Sequence, residues 1–290
     1  MRASKRKSAF SPSLVMAVSY LLVLSRSFSH VSGILCRANA CAGVASHRSS
    51  MAGTFRLFAE SPPQRSAERK TSGCHRVFSY GDSLTAGTSP PLDDLSPYAP
   101  HMERELNRPS TAPESPPFVP VVVRWLGLPG WTAASLCDSL DSPNGLRSIL
   151  QRIKASTVGQ PASLCVILAG TNDLAYGGDA GPIVGAIAGL HEAAHGEGVR
   201  TVAVSIPPSG WQCADGGARR LADEVNGALR ELCANEAPGG IGSMATFVEF
   251  PIREFRRESG LWAPDGLHLS PDGCRILGEG LAGDVSKILR

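Results

Sequence analysis

The chain has 290 residues, of which 42% are hydrophobic and 19% are charged, a composition typical of soluble globular proteins. Residues 1–59 hold eight of the 28 basic side chains and no acidic one, so residues 60–290 carry 20 basic and 26 acidic side chains. A net charge of −6 over 60–290 argues against nucleic acid as a partner, because phosphate binding relies on clustered Lys and Arg.

The N-terminal part has the composition of a targeting sequence. In residues 1–33, four basic side chains precede an apolar run of 11 residues, Leu14 to Leu24, as in a secretory signal peptide. This run is shorter than the roughly 20 apolar residues that span a bilayer, so a signal peptide is favoured over a permanent anchor. Residues 34–72 are predicted to be a linker or a transit-like segment. The expected location is the secretory pathway or the cell exterior, and the alternative is a plastid reached through a two-part targeting sequence.

Residues 73–290 are predicted to form a single α/β domain. Short β-branched or apolar runs alternate with longer helical patterns, which favours a parallel sheet with helices on both faces. The predicted strands are Arg76–Tyr80, Pro120–Leu126, Leu164–Ala169, Val199–Ser205 and Ala245–Phe250. The predicted helices are Tyr98–Leu106, Thr132–Leu140, Leu146–Lys154, Ile183–His195, Ala218–Ala234 and Pro271–Leu289, the last weakened by four glycines.

Four polar segments lie at loop positions of this pattern. Ser83 follows the first strand in the run Tyr80-Gly81-Asp82-Ser83-Leu84. The next two segments, Gly127–Thr132 and Gly170–Asp173, also begin where strands end, and Asp265–His268 precedes the last helix. All four are therefore expected on the C-terminal rim of the sheet, where open α/β sheets bind ligands.

The residue types in these segments suit nucleophilic catalysis. A serine hydroxyl is a poor nucleophile at neutral pH and needs a base within hydrogen-bond reach, with a third group to orient that base. His268 can serve as the base for Ser83, and Asp265 can hold the imidazole in one tautomer. Asp82 and Asp173 are assigned to loop hydrogen bonding.

Together the four segments resemble the four blocks of the SGNH, or GDSL, hydrolase family, from about Arg76 to the C-terminus. The resemblance implies a flavodoxin-like three-layer α/β/α sandwich with a five-stranded parallel sheet. It also implies a triad of Ser83, Asp265 and His268, and an oxyanion hole formed by the Ser83 and Gly130 amides and the Asn172 side chain. The expected activity is hydrolysis of a carboxylic ester, without metal or organic cofactor.

The substrate stays open at this point, because the four blocks are common to enzymes that act on short-chain esters, lysophospholipids and O-acetyl carbohydrates. A small-molecule, lipid or carbohydrate ester is expected, and no obligate protein partner is indicated. A non-catalytic binding protein that keeps the fold is the alternative from another class. Trp131, Trp211 and Trp262 lie in or beside predicted loops and can be either substrate contacts or core aromatics.

A second motif predicts a different chemistry. His191-Glu192-Ala193-Ala194-His195 matches the H-E-x-x-H pattern of zinc peptidases, in which two histidines bind zinc and the glutamate acts as a base. The segment also has the pattern of an ordinary crossover helix. The longer form of the zinc motif needs a histidine at position 201, which is Thr201. A zinc peptidase is therefore the less favoured alternative.

The eight cysteines leave disulfide pairing undetermined. Cys165 lies inside an apolar run, where a buried free thiol is expected.

Overall fold

The computed structural model describes residues 73–109, 119–157, 161–235 and 240–290. The predicted targeting segments, 1–33 and 34–72, lie outside the described residues. The described part forms a five-stranded parallel sheet in the order β2-β1-β3-β4-β5. Its strands are β1 His75–Gly81, β2 Val121–Gly127, β3 Leu164–Leu168, β4 Arg200–Val204 and β5 Ala245–Val248.

All five strands were predicted, and each boundary lies within two residues of its predicted position. The six predicted helices are also present, and two further short helices, α1 and α6, were not predicted. The helices are α1 Ser83–Ala86, α2 Ala99–Leu106, α3 Ala133–Asp138, α4 Leu146–Ser156, α5 Ala180–Gly196, α6 Gly210–Ala214, α7 Gly216–Ala234 and α8 Pro271–Leu289. Short 3₁₀ helices occur at Asp173–Tyr176, Ile241–Ser243 and Arg257–Ser259.

The sheet separates two hydrophobic cores. Alternate residues of a strand point to opposite faces, so in β3 Leu164 and Val166 belong to one core, while Cys165 and Ile167 belong to the other. Helices α2 and α8 cover the first face, and α3, α4, α5 and α7 cover the second. Every residue of β3 is buried, as expected for a parallel strand covered on both sides. The fold is therefore the predicted flavodoxin-like three-layer sandwich.

The strand order places a topological switch point between β1 and β3. Chain connections leave β1 and β3 in opposite directions across the sheet, and this opens a crevice at the carboxyl ends of the two strands. Ser83 follows β1 and Asn172 follows β3. The first and third polar segments therefore meet at the crevice where this fold binds ligands.

Helix α8 contains four glycines, yet it runs without interruption for 19 residues. A methyl group added at Gly273, Gly278 or Gly280 would lie 2.0, 2.4 or 2.6 Å from an atom of another segment. These glycines let the helix pack closely against the rest of the domain, and this packing offsets the helix propensity that they lose. Only Gly283 of the four has open space around it.

The six cysteines of the described residues form no disulfide. Cys165 is fully buried in β3, and burial raises the pKa of its thiol far above the ordinary value.

Trp262 is a buried core residue, while Trp131 and Trp211 are partly buried against the second core. No helix in the described part of the chain is both long and apolar enough to cross a membrane.

Candidate active site

Ser83 lies at a sharp turn from strand to helix. Strand β1 ends at Gly81, and Ser83 is the first residue of α1, with Asp82 as the N-cap between them. The Asp82 carboxylate accepts a hydrogen bond from the Leu84 N–H at 2.9 Å, which satisfies one of the amides that a helix leaves unpaired at its start. The turn thus places the Ser83 hydroxyl at the carboxyl edge of the sheet.

His268 and Asp265 reach this edge on the loop before α8. The Asp265 Oδ1 atom accepts hydrogen bonds from the Leu267 and His268 main-chain amides, both at 3.0 Å. Its Oδ2 atom lies 2.6 Å from Nδ1 of the His268 ring. One carboxylate therefore both folds the loop and orients the imidazole.

The hydrogen bonds continue from His268 to Ser83. Nε2 of His268 lies 2.9 Å from Oγ of Ser83, although 185 residues separate the two in sequence. Since Nδ1–H donates to the Asp265 carboxylate, Nε2 carries the lone pair and accepts the hydrogen bond from the Ser83 hydroxyl. Ser83 and His268 are 6% and 5% exposed, so the chain of hydrogen bonds is largely shielded from water.

The Asp265 carboxylate is held in its charged form. Burial alone would raise its pKa, but the hydrogen bond and charge of His268 and the two loop amides outweigh burial and lower the pKa below the ordinary value. Asp265 is therefore ionised at neutral pH and can stabilise a positive charge on the imidazole.

Asn172 lies next to the turn that contains Gly130. The Asn172 Nδ2 atom donates a hydrogen bond to the Trp131 carbonyl at 2.8 Å, across 41 residues of sequence. Asn172 is 3% exposed. A side-chain amide has two N–H bonds and can donate two hydrogen bonds. Gly130 has a φ of 80°, a left-handed conformation that favours glycine.

Asp173 joins the same two segments a second time. Its Oδ2 atom accepts a hydrogen bond from the Ala133 N–H, the first amide of α3, at 2.8 Å. Burial raises the pKa of Asp173, and the hydrogen bond from the Ala133 amide partly offsets this increase. Two hydrogen bonds thus link the third polar segment to the second segment and the helix that follows it: a partly buried one from Asn172 and a buried one to Asp173. Asp173 was predicted to take part in loop hydrogen bonding, and nothing in the sequence indicated its bond to Ala133.

Asp82 is a second carboxyl group close to Ser83. It is 0% exposed, and its Oδ2 atom has no hydrogen-bond partner among the described residues. Burial raises its pKa to about 7, against the smaller lowering effects of the Leu84 amide and of His268. Asp82 was predicted to take part in loop hydrogen bonding, and the sequence does not show that its carboxyl group is fully buried.

The histidines of the H-E-x-x-H motif contact a hydroxyl group. Nδ1 of His191 and Nε2 of His195 lie 2.7 and 2.9 Å from Oγ1 of Thr201, on β4. Burial, and next the neighbouring His195, lower the pKa of His191 to about 3. Glu192 points to the exposed side of α5, and within the described ranges no three metal-binding side chains cluster. The arrangement is that of a core hydrogen-bond group and gives the zinc interpretation no support.

Comparisons with known proteins agree with the fold. The crystal structure of TesA matches with a TM-score of 0.53 and 18% identity, over 74% of this chain and 99% of that chain. A carbohydrate acetylesterase family member from Sinorhizobium meliloti matches with a TM-score of 0.50 and 23% identity, over 74% and 99%. At such low identity these structures show a common fold alone. A comparison with curated protein sequences gives no match.

A match between the sequence and a protein-family model identifies the family. The model of the GDSL-like Lipase/Acylhydrolase family matches residues 79–276, which is more than half of the chain. This range contains all four polar segments, from Ser83 to His268. The chain therefore belongs to the GDSL-like lipase and acylhydrolase family.

Proposed function

We propose that this protein hydrolyses carboxylic esters through an acyl-enzyme intermediate on Ser83. The observation that carries the proposal is the continuous chain of hydrogen bonds from Ser83 through His268 to Asp265. A nucleophile, a base in reach of it and an ionised group that orients the base are the parts that serine hydrolysis requires.

In the first half of the reaction, Oγ of Ser83 attacks the ester carbonyl carbon while its proton passes to Nε2 of His268. The carbonyl oxygen becomes an oxyanion. When the tetrahedral intermediate collapses, the bond to the leaving alcohol breaks and the alcohol oxygen takes the proton from Nε2. The acyl group remains on Ser83.

In the second half, a water molecule attacks the acyl carbon and gives a proton to Nε2 of His268. The bond between the acyl carbon and Oγ of Ser83 then breaks, the carboxylic acid leaves, and Oγ regains its proton. Asp265 stays ionised throughout and stabilises the imidazolium that forms in each half.

We propose that three N–H donors stabilise the oxyanion: the Ser83 and Gly130 main-chain amides and the Asn172 side chain. The Ser83 amide belongs to the first turn of α1 and lacks an intrahelical acceptor. Asn172 is held beside the Gly130 turn by its hydrogen bond to Trp131. Donors that are already positioned in a shielded site stabilise a developing negative charge more than water does.

The test of the proposal combines turnover with labelling. We expect the purified protein to hydrolyse p-nitrophenyl esters, and a fluorophosphonate to add one phosphonyl group to the peptide that contains Ser83. Ser83→Ala should abolish both. A folded wild-type protein that neither turns over esters nor reacts with the fluorophosphonate would favour the non-catalytic alternative. Activity lost to EDTA and restored by zinc would favour the His191 motif.

We further propose that the acyl group or leaving group of the substrate is apolar. Three large apolar side chains in the described part are strongly exposed: Leu92, Leu95 and Tyr176, at 53, 60 and 70%. All three follow strands at the carboxyl edge of the sheet, Leu92 and Leu95 after α1 and Tyr176 four residues after Asn172. Exposed apolar side chains at the same edge of the sheet as the candidate site are well placed to contact an apolar substrate.

Esters of graded acyl length test this preference. Tyr176→Ala should lower kcat/KM for longer acyl chains more than for acetyl esters. Val119→Ala is the matched control, because Val119 is also exposed but precedes β2 and so lies at the opposite edge of the sheet. Equal changes for all chain lengths in Tyr176→Ala would contradict an apolar contact at this position. Lysophospholipids and acetylated sugars in the same panel separate the three substrate classes.

The location is also a proposal. We propose that residues 1–33 direct the chain into the secretory pathway, and that a plastid is the alternative destination. Residues 1–72 fused to a fluorescent protein test this directly. Fluorescence in the secretory pathway or the medium supports the first destination, plastid fluorescence supports the second, and a cytosolic signal contradicts both.

A further inference from the structure

We propose that Phe255 is a positioning residue, which sets the location of the loop that carries Asp265 and His268 relative to Ser83. The inference rests on the proposed function, because it concerns the geometry of the same site. Phe255 lies outside all four polar segments, in the connection between β5 and α8.

The Phe255 ring contacts the main chain of two glycines. A methyl group at Gly210 would lie 2.9 Å from Cζ of the ring, and one at Gly266 would lie 3.2 Å from the same atom. The two glycines are joined by a hydrogen bond of 2.7 Å from the Gly210 N–H to the Gly266 carbonyl. The ring tip therefore packs beside this hydrogen bond, where only residues without a side chain leave it room.

A second aromatic ring limits where Phe255 can move. The Trp262 ring lies 5.3 Å from the Phe255 ring, measured between centroids, and the two planes are tilted by 55°. Trp262 is 6% exposed and part of the core. Phe255 thus connects the core, through Trp262, to the catalytic loop, through Gly266.

The loop's own hydrogen bonds are local. The Gly266 N–H donates to the Ala263 carbonyl at 2.9 Å, and the Ala263 N–H donates to the His268 carbonyl at 2.8 Å. These bonds shape the loop internally, but they do not fix its distance from Ser83. Contacts with other segments must do so, and those of Phe255 and Gly210 fall on Gly266, which lies between Asp265 and His268.

The position of this loop matters because the hydrogen bond between His268 and Ser83 is 2.9 Å long and joins two separate segments. A displacement of about 1 Å at a reacting group can cost on the order of 10² in rate. A residue that moves the loop by this amount changes turnover without contacting the substrate.

Gly210→Ala tests the inference with one methyl group. Gly210 begins α6 outside the left-handed region, so its backbone accepts alanine. The three atoms nearest to the added methyl are two of the Phe255 ring and the Gly266 carbonyl oxygen. We expect kcat to fall by about 10- to 100-fold, with KM within a few-fold of wild type. Phe255→Leu removes the ring tip, so the double variant Gly210→Ala, Phe255→Leu should recover to within a few-fold of Phe255→Leu alone.

Gly181→Ala is the matched control, because Gly181 lies in the first turn of α5 with no atom within 4 Å of an added methyl. It should retain wild-type kcat. A structural defect in Gly210→Ala would lower the melting temperature without recovery of kcat in the double variant, and that outcome would overturn the inference. Wild-type kcat in Gly210→Ala would also overturn it.

A crystal structure of Gly210→Ala gives a readout that does not depend on turnover. The distance from Oγ of Ser83 to Nε2 of His268 should lengthen beyond hydrogen-bond range and return in the double variant. An unchanged distance would overturn the positioning role even if activity fell. If the wild-type protein hydrolyses no ester, the proposed function fails, whereas this distance still decides the role of Phe255.

Discussion

Asn172→Ala separates a catalytic role from a structural one, and the structure sets the expected size of each effect. Loss of one oxyanion donor lowers kcat by roughly 10² to 10³, or about 2.7 to 4 kcal/mol in transition-state free energy. The same change removes the hydrogen bond to Trp131, and loss of such a bond costs about 1 kcal/mol of folding free energy. KM should stay within a few-fold, because the bond to the oxyanion forms fully only in the transition state.

Steady-state kinetics and thermal unfolding on the purified variant measure the two effects separately. Asp173→Ala is the control, because it breaks the neighbouring hydrogen bond to Ala133 without removing an oxyanion donor. Loss of this hydrogen bond should cost about 1 kcal/mol of stability and lower kcat by less than about tenfold. If Asn172→Ala has near-normal kcat and melts like Asp173→Ala, Asn172 is structural, and the oxyanion hole consists of the Ser83 and Gly130 amides.

Three further predictions concern the site and the domain boundary. Ser83→Ala and His268→Ala should each lower kcat by several powers of ten, and the double variant should be little worse, since the two residues act as one unit; additive losses would contradict this. Asp82→Asn should gain stability over wild type as pH rises from about 4 to about 7, by on the order of 1 kcal/mol per pH unit. The sign follows from the raised pKa: folded Asp82 keeps its proton up to pH about 7, whereas the unfolded carboxyl loses it near 3.8, so the wild type loses stability across this window. A stability difference that is constant between pH 4.5 and 8 would refute the buried, protonated state. Finally, a chain that begins at Thr71 should fold and show wild-type kcat, and an insoluble product would place residues 1–70 within the fold.

The strands and long helices were predictable because their patterns are local. Each strand is a short apolar run, and α8 was predicted with its exact observed limits despite its glycines. Helix α6 was missed because five residues are too few to show helical periodicity. It did carry a local signal: Ser209 and Gln212 have the spacing of a capping box, and the Ser209 hydroxyl accepts from the Gln212 amide at 3.3 Å.

The sequence indicated which residues form the candidate site, but it did not indicate how they are supported. Ser83, Asp265 and His268 stand in recognisable segments, so their meeting at one edge could be expected from the parallel sheet. The contact of Phe255 with Gly210 and Gly266 depends on distances between residues far apart in sequence, in two separate connections. No local pattern encodes such a contact. The sequence likewise gives no sign that the main-chain carbonyl of Trp131 accepts a hydrogen bond from Asn172, since every residue has a main-chain carbonyl.

The close packing of α8 has a consequence for attempts to stabilise the enzyme. Replacing a glycine inside a helix by alanine usually adds about 0.5 to 1 kcal/mol of stability, which makes such positions attractive to a protein engineer. In α8 this strategy is suited to Gly283, which has open space, whereas Gly273, Gly278 and Gly280 would push the helix away from the domain. Because α8 begins three residues after His268, a shifted helix would also move the imidazole. The same class of substitution would therefore stabilise the protein at Gly283 and impair it at the other three glycines.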